Sequence, residues 1–271
     1  LGEYSWSVVI ASLILTVCVA AVLIGGVKRI ASVSQIIVPF MAILYFAFAV
    51  ILIICNITEI PAAIKVIVTA AFTPKAVTGG AVGSMFVAMQ KGVARGIFSN
   101  EAGLGSAPIA AAAAQTKEPV RQGLVSMTGT FIDTIVICTL TGLSIVLTGA
   151  WQVEGLEGVE VTTYAFQQGL PFPPVVSSFV LMLCLVFFAF TTILGWDYYS
   201  ERCLEYLSGG NLKHVKVYRW IYIFAVFIGP YMTVSAVWTI ADIFNGLMAL
   251  PNMIALFALS GVVRSEEHTS E

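Results

Sequence analysis

The chain has 271 residues, of which 59% are hydrophobic and only 10% are charged, and its mean hydropathy is +0.95. This composition excludes an ordinary soluble domain and indicates a polytopic, all-α membrane protein that is embedded in a lipid bilayer. The formal net charge of −2 comes without a basic face, so we expect no nucleic-acid partner.

Apolar runs predict seven membrane spans, labelled A to G, of which span C is interrupted. In chain order they cover about residues 6–26, 35–56, 80–116, 123–148, 175–199, 217–234 and 236–261. Residues 27–34 are expected to form a loop between spans A and B, and 162–169 a short helix between D and E. The amphipathic stretch 60–72 is expected to lie in the membrane interface.

The two ends of the chain differ from its middle. It begins at Leu1 without an initiator Met, and we expect it to be a fragment. Residues 264–271 are polar, and we expect this tail to be a non-native sequence, with a cytoplasmic tail as the alternative. The transmembrane domain is therefore assigned to residues 1–263.

The basic residues predict the orientation of the chain, because cytoplasmic loops carry an excess of Lys and Arg. With the loop that holds Lys28 and Arg29 inside the cell, nine basic residues lie inside and only Lys65 and Lys75 lie outside. The acidic loop that contains Glu154 then lies outside. This arrangement places the N-terminus outside and the C-terminus inside.

Span C is interrupted by the most polar run inside the apolar region, RGIFSNEAGLGSAPIAAAAAQ at residues 95–115. Helices are predicted over 81–98 and 107–115, and Gly103 and Gly105 loosen the chain between them. Ser106 is expected to cap the second helix, with Pro108 in its first turn. A glycine-rich cytoplasmic turn after an ordinary span is the alternative interpretation.

Length favours an interruption at membrane depth, because neither half crosses a hydrocarbon core of about 30 Å alone. Broken helices of this kind form midplane binding sites in secondary transporters. The free N–H groups of the second half attract a carboxylate, and the last carbonyls of the first half attract cations.

Three segments carry a family resemblance. GVARGIFSNEAGLGSAPIA (92–110) closely resembles the signature of the alanine or glycine:cation symporter family, and VKRIASVSQIIVPFMAILY (27–45) and FTTILGWDYYSERCLEYL (190–207) are similar to it as well. The resemblance implies a leucine-transporter-type fold of two inverted five-helix repeats. Spans A to G then resemble helices four to ten, span C takes the place of broken helix six, and helices one to three are missing.

The resemblance also implies a function, which is sodium-coupled symport of alanine or glycine across the cell membrane by alternating access. Sodium would be the coupling ion, and no other cofactor is expected. Two alternatives stay open: a permease of the same fold with another solute or with proton coupling, and a channel or non-transporting subunit. We do not expect an enzyme, because His214 and His268 lie in a loop and in the tail, and no nucleophile–base pair is visible.

The expected binding residues come from the interruption and from span E. Thr192 and Trp196 are four residues apart and share a helix face, which the resemblance places against the broken helices. Back-bonding of the Thr191 and Thr192 hydroxyls to their own helix is the alternative. Sodium is assigned to Thr191 and Thr192. The substrate is assigned to Phe98, Ser99, Asn100, Glu101, Gly103, Ser106, Thr192 and Trp196.

Arg95, Asp133, Asp197 and Asp242 are further charged residues inside the spans. Arg95 and Asp242 are proposed as a gate pair of the outer vestibule, and unchanged transport and alanine affinity in an Asp242→Asn variant would exclude that gate. Asp133 is expected to pair with a neighbouring helix, with tuning of an ion site as the alternative. Asp197, near the inner end of span E, is expected to be solvated or paired.

Overall fold

The computed structural model describes residues 6–72, 80–116 and 118–269, and the regular elements in this part of the chain are all helical. The α-helices are α1 (Trp6–Leu23), α2 (Gly26–Cys55), α3 (Ile60–Phe72), α4 (Gly80–Asn100), α5 (Ala107–Ala111), α6 (Pro119–Thr130), α7 (Cys138–Leu147), α8 (Val159–Gly169), α9 (Pro174–Leu207), α10 (Leu212–Ile228) and α11 (Val234–Thr269). A π-helix, Phe131–Ile137, joins α6 to α7. Short 3₁₀ turns cover Ile57–Glu59, Ala150–Gln152 and Gly229–Tyr231.

Five described helical segments are long and apolar enough to cross a membrane. They correspond to the predicted spans A, B, D, E and G. Helix α4, in span C, carries Lys91 and Arg95 among its apolar residues. Helix α10, in span F, has only 17 residues, which is about 26 Å at about 1.5 Å per residue. The total of seven spans therefore stays a prediction.

Two predicted boundaries differ from the structure. The loop expected over 27–34 is helical, because α2 already begins at Gly26, whose φ of 71° makes the turn after α1. At the other end, α11 continues through the polar residues 264–269. The expected helices over 60–72 and 162–169 are present as α3 and within α8.

The chain divides into two compact units. Unit 1 contains residues 1–41, 103–115 and 186–271, and unit 2 contains residues 42–102 and 116–185. Helices α2 and α9 are both divided between the units: one part of each helix belongs to unit 1 and the other part to unit 2. The boundary between Ala102 and Gly103 falls inside the interruption of span C.

The core of unit 1 is built by α1, the start of α2, the second half of α9 and α10. Its buried side chains are Val19, Val22, Leu23, Ile30, Leu194 and Ile223. The buried hydroxyl of Ser12 donates a hydrogen bond to the carbonyl of Phe227 at 2.8 Å, which joins α1 to the end of α10. A small polar group thus holds two apolar helices in register.

The core of unit 2 is built by the second half of α2, α8 and the first half of α9. Its buried side chains are Tyr45, Ala49, Leu52, Phe166, Leu170, Leu181 and Cys184. The Asn56 side-chain amide donates a hydrogen bond to the Gly169 carbonyl at 2.8 Å. The outward faces of both units carry many exposed large apolar side chains, such as Ile14 and Phe179, as expected for surfaces that face lipid.

Because α8 lies very close to α2 at Gly169, we predict that adding a side chain at this position destabilises the protein. A Cβ atom there would lie 2.7 Å from Leu52 Cγ and 2.9 Å from Thr148 Cγ2, because glycine allows the helices to come this close. We expect Gly169→Ala to lower the free energy of unfolding by about 1–3 kcal/mol through overpacking. Thermal unfolding of the detergent-solubilised protein measures this loss. The control is Gly142→Ala in α7, where the added methyl meets open space, and equal stability of the two variants would refute the prediction.

Candidate functional site

The interruption of span C is a short non-helical segment between two helices. Helix α4 ends at Asn100 and α5 begins at Ala107, so residues 101–106 are not helical. Glu101, Gly103 and Gly105 have φ angles of 56°, 79° and 79°. Left-handed geometry suits glycine but is strained for Glu101. The predicted order of helix, interruption and second helix is confirmed.

Two details of the predicted second helix are wrong. It was expected to cover 107–115, but α5 has five residues and ends at Ala111. Ser106 occupies the position before it but has helical φ and ψ of −77° and −45°, and its hydroxyl makes no capping hydrogen bond. Capping needs an extended residue whose oxygen reaches back to the first free N–H groups. The Ser106 hydroxyl is instead buried without a hydrogen-bond partner among the described residues.

On the unit 2 side of the interruption, the end of α4 is joined to the π-helix. The Ser99 hydroxyl donates to the two carboxylate oxygens of Asp133, at 2.8 and 3.0 Å. Thr134 donates to the same carboxylate at 3.3 Å, and Asn100 donates to the Thr134 hydroxyl at 3.4 Å. The expected pairing of Asp133 with a neighbouring helix is confirmed.

The chemistry of this cluster suits a cation. Carboxylate and hydroxyl oxygens are the donors that hard cations prefer, and π-helical turns are frequent at functional sites. The sequence indicated Asp133 but not the π-helix, because a helix with one extra residue per turn has no distinctive residue pattern. Among the described residues there is no group of three or more His, Cys, Asp or Glu side chains that could hold a metal ion.

On the unit 1 side, the interruption lies against α11. A Cβ atom on Gly105 would lie 3.0, 3.2 and 3.3 Å from Oδ1, Cγ and Cβ of Asn252. Asn252 follows Pro251, which lies inside α11 and removes one helical hydrogen bond there. Leu104, between the two glycines, is 3% exposed. The close approach of the Gly105 backbone to the Asn252 side chain, together with the buried Leu104, therefore holds this half of the interruption in place.

Helix α9 carries the predicted sodium and substrate residues. The Thr191 hydroxyl donates to its own helix at the Phe187 carbonyl, 2.9 Å away, so the back-bonding alternative describes Thr191. The Thr192 side chain is exposed. The Trp196 ring lies edge-on to Tyr199, with ring centroids 5.7 Å apart.

Helix α5 lies beside the last turns of α9. A cavity of about 530 Å³ between them is lined by Pro108, Ile109, Ala112, Ala113, Tyr198, Arg202, Cys203 and Tyr206. The Arg202 guanidinium lies 5.6 Å from the centroid of the Tyr198 ring and pairs with Glu205 at 2.6 Å.

The environment of Asp197 differs from the prediction that this residue is solvated or paired. It is completely buried, and neither carboxylate oxygen has a hydrogen-bond partner in the described part of the chain. One helical turn further on, Glu201 is 2% exposed and accepts two hydrogen bonds from Arg219, at 2.6 and 2.9 Å. The sequence placed Asp197 near solvent because it begins the polar end of span E, but α10 covers that face.

The predicted site residues fall into both units. The interruption brings Ser99 and Asn100 to Asp133 and Thr134, and brings Gly105 to Asn252. The roles assigned to these residues, including the gate, stay predictions. Unit 2 holds Arg95, Phe98, Ser99, Asn100 and Glu101. Unit 1 holds Gly103, Ser106, Thr191, Thr192, Trp196 and Asp242.

Comparison with known proteins confirms the resemblance of the sequence to a family of sodium-coupled amino-acid symporters. The model of the sodium:alanine symporter family matches residues 2–269. The chain is 55% identical to an uncharacterized transporter of Haemophilus influenzae over 96% of this chain and 56% of that protein. It is 46% identical to the sodium/alanine symporter AgcS of Methanococcus maripaludis, over 95% of this chain and 55% of that protein.

A third relative, the probable sodium/glutamine symporter GlnT of Bacillus subtilis, is 41% identical over 93% of this chain and 51% of that protein. The chain thus spans about half the length of the curated relatives it matches. The family consists of membrane transporters and not of enzymes. A match over nearly all of this chain, together with long apolar helices and the interrupted span, shows that the chain belongs to the sodium:alanine symporter family.

Proposed function

We propose that the full-length protein carries out sodium-coupled symport of a small neutral amino acid, alanine or glycine, into the cell across the plasma membrane. The observation that carries this proposal is the non-helical segment 101–106 within a chain 46% identical to a sodium/alanine symporter. Interrupted helices leave backbone N–H and C=O groups free for a zwitterion and a cation. The transport cycle is alternating access, in which bound substrate and sodium shift the population of conformations.

Each part of the interruption has a proposed role. The last carbonyls of α4, near Phe98 to Asn100, bind the substrate ammonium group, and N–H groups beside Gly103 and Ser106 bind its carboxylate. Because α5 has only five residues, it contributes local N–H donors and little helix dipole. Glu101 braces the turn or meets the ammonium group. Bulky Phe98 and Trp196 side chains limit substrate size.

Sodium is proposed to bind at the hydroxyl oxygens of Thr191 and Thr192. The Thr191 hydroxyl already donates its proton to Phe187, which leaves its lone pairs to face a cation. Arg95 and Asp242 are proposed to close the outer vestibule as an ion pair.

A second candidate substrate is glutamine, because a relative 41% identical to the chain is named a probable sodium/glutamine symporter. Competition experiments separate the two substrates. Sodium-driven uptake of labelled alanine that excess glycine suppresses and excess glutamine does not would support the first candidate, whereas sodium-driven uptake of labelled glutamine that excess alanine and glycine do not suppress would select the second.

Alanine uptake into proteoliposomes tests the proposal directly. With the full-length protein we expect uptake only under an inward sodium gradient. We expect Thr192→Ala to reduce this uptake about tenfold or more, because a lost hydrogen bond or ligand to a charged group costs about 1.5–3 kcal/mol. The control is Thr163→Ala in α8, whose hydroxyl donates to its own helix at Val159.

The possible outcomes test the symporter function and the proposed role of Thr192 separately. Sodium-driven uptake that survives in Thr192→Ala would keep the symporter and discard the proposed sodium and substrate roles of Thr192. Uptake that is independent of sodium but rises in acid would select proton coupling. Current without substrate would indicate a channel.

A further inference from the structure

A cluster of charged side chains lies between the second half of α9 and α10, outside the proposed binding site. Asp197 and Glu201 lie one turn apart on α9, and Arg219 reaches Glu201 from α10. Arg219 donates Nε to Glu201 Oε1 at 2.6 Å and a terminal nitrogen to Oε2 at 2.9 Å. Both carboxylate oxygens of Glu201 are therefore occupied by one guanidinium.

Asp197 lacks such a partner. Its exposed fraction is 0%, and no described group donates a hydrogen bond to either oxygen. The nearby Tyr222 hydroxyl donates to the Ile193 carbonyl at 2.8 Å instead. An ionised carboxylate that is buried without a hydrogen bond is strongly disfavoured, and such groups neutralise.

The charges of the cluster do not balance by themselves. Two carboxylates and one guanidinium leave one negative charge in a buried position. On the facing elements, α10 presents the neutral phenols Tyr218 and Tyr222 beside Arg219, and α1 carries no charged residue. At the start of α2, Lys28 and Arg29 are exposed, and Arg202 on α9 pairs with Glu205.

We propose that Asp197 is a proton-binding site, which holds a neutral carboxylic acid in this conformation and thereby balances the charge of the Asp197–Glu201–Arg219 cluster. A proton needs only one oxygen of Asp197, whereas a sodium ion needs several oxygens in a shell around it, and Arg219 already occupies both Glu201 oxygens. Because the chain's own atoms enclose Asp197 completely, this balance is set within unit 1. The charge of the cluster is the same whichever substrate the protein transports.

Infrared spectroscopy of the full-length protein tests the proposal without transport. A protonated carboxylic acid has a carbonyl stretching band that shifts in deuterium oxide, and an ionised carboxylate lacks it. We expect this band at neutral pH in the unmodified protein and expect Asp197→Asn to abolish it. The matched control is Glu205→Gln, one turn beyond Glu201, which should keep the band.

A second variant tests the charge balance and keeps the proposal testable if Asp197→Asn does not fold. Glu201→Gln leaves one carboxylate and one guanidinium, so Arg219 is free to neutralise an ionised Asp197. We expect the band to disappear although Asp197 is still present. A band that is absent from the unmodified protein, or that persists in Asp197→Asn, would overturn the proposal; persistence in Glu201→Gln would overturn its charge-balance explanation. Loss in Asp197→Asn and Glu201→Gln but not in Glu205→Gln would establish it.

Discussion

Replacing Arg219 by Met is expected to cause a large loss of stability, larger than that of Gly169→Ala or Gly105→Ala. The guanidinium makes two hydrogen bonds to Glu201, which is only 2% exposed. Removing it leaves a buried carboxylate without a partner, and breaking a buried ion pair in this way costs about 3–5 kcal/mol. Thermal unfolding of the detergent-solubilised protein, followed by tryptophan fluorescence, measures the loss.

Two further variants show whether the loss comes from the unpaired charge. The double variant Glu201→Met, Arg219→Met removes both charges and should recover most of the stability, because apolar replacement of a whole buried pair is often neutral. Arg202→Met breaks the Arg202–Glu205 pair, whose side chains are 38% and 31% exposed, and should cost less than about 1 kcal/mol. Equal losses in the Arg219 and Arg202 variants would contradict the prediction.

Gly105→Ala is expected to lower both stability and uptake. Position 105 has a φ of 79°, and its added Cβ would approach three atoms of Asn252 within 3.3 Å. Left-handed geometry costs a non-glycine residue about 1–2 kcal/mol, and Asn252 Cβ is fixed to its backbone and cannot turn away. We expect the interruption to shift against α11 and sodium-driven alanine uptake to fall about tenfold or more, as a 1.4 kcal/mol change implies.

Gly103→Ala is the matched control, because it has the same φ of 79° but its Cβ would meet open space. It should show the conformational cost alone and lose less stability than Gly105→Ala. Asn252→Ala removes the two closer contacts, to Oδ1 and Cγ, and keeps only the Cβ contact at 3.3 Å, so it should recover part of the loss caused by Gly105→Ala. If the two glycine variants were equally stable and equally active, the contact with Asn252 would not contribute to the effect of Gly105→Ala.

The helices on either side of the interruption could be predicted from the sequence because local composition decides them. Long apolar runs specify α1, α2, α9 and α11, since each must satisfy its backbone groups internally in a membrane. The two glycines at positions 103 and 105 disfavour a continuous helix through this segment by local chemistry alone. For the same reason Pro108 was correctly placed in the first turn of the next helix, whereas the capping role expected of Ser106 was wrong. The family resemblance was carried by residues 92–110, which contain this run, together with 27–45 and 190–207.

Local pattern was less informative about how far a helix continues. The Ala-rich run after Pro108 has high helix propensity, yet α5 ends at Ala111. Helix propensity is a weak preference that surrounding structure overrides. The π-helix that carries Asp133 was not predicted either, because it depends on hydrogen-bond register and not on residue type.

The sequence by itself determined the class of the protein, the main helices and the position of the interruption, because hydropathy, glycine geometry and helix length act within one segment. Only the tertiary structure decided which polar groups are satisfied, because that depends on contacts between segments far apart in the chain. The Ser99 hydroxyl donates a hydrogen bond to the carboxylate of Asp133, and Arg219 donates one to Glu201. Asp197 is buried near the Glu201–Arg219 pair without a hydrogen bond, since the single guanidinium of Arg219 is already used by Glu201.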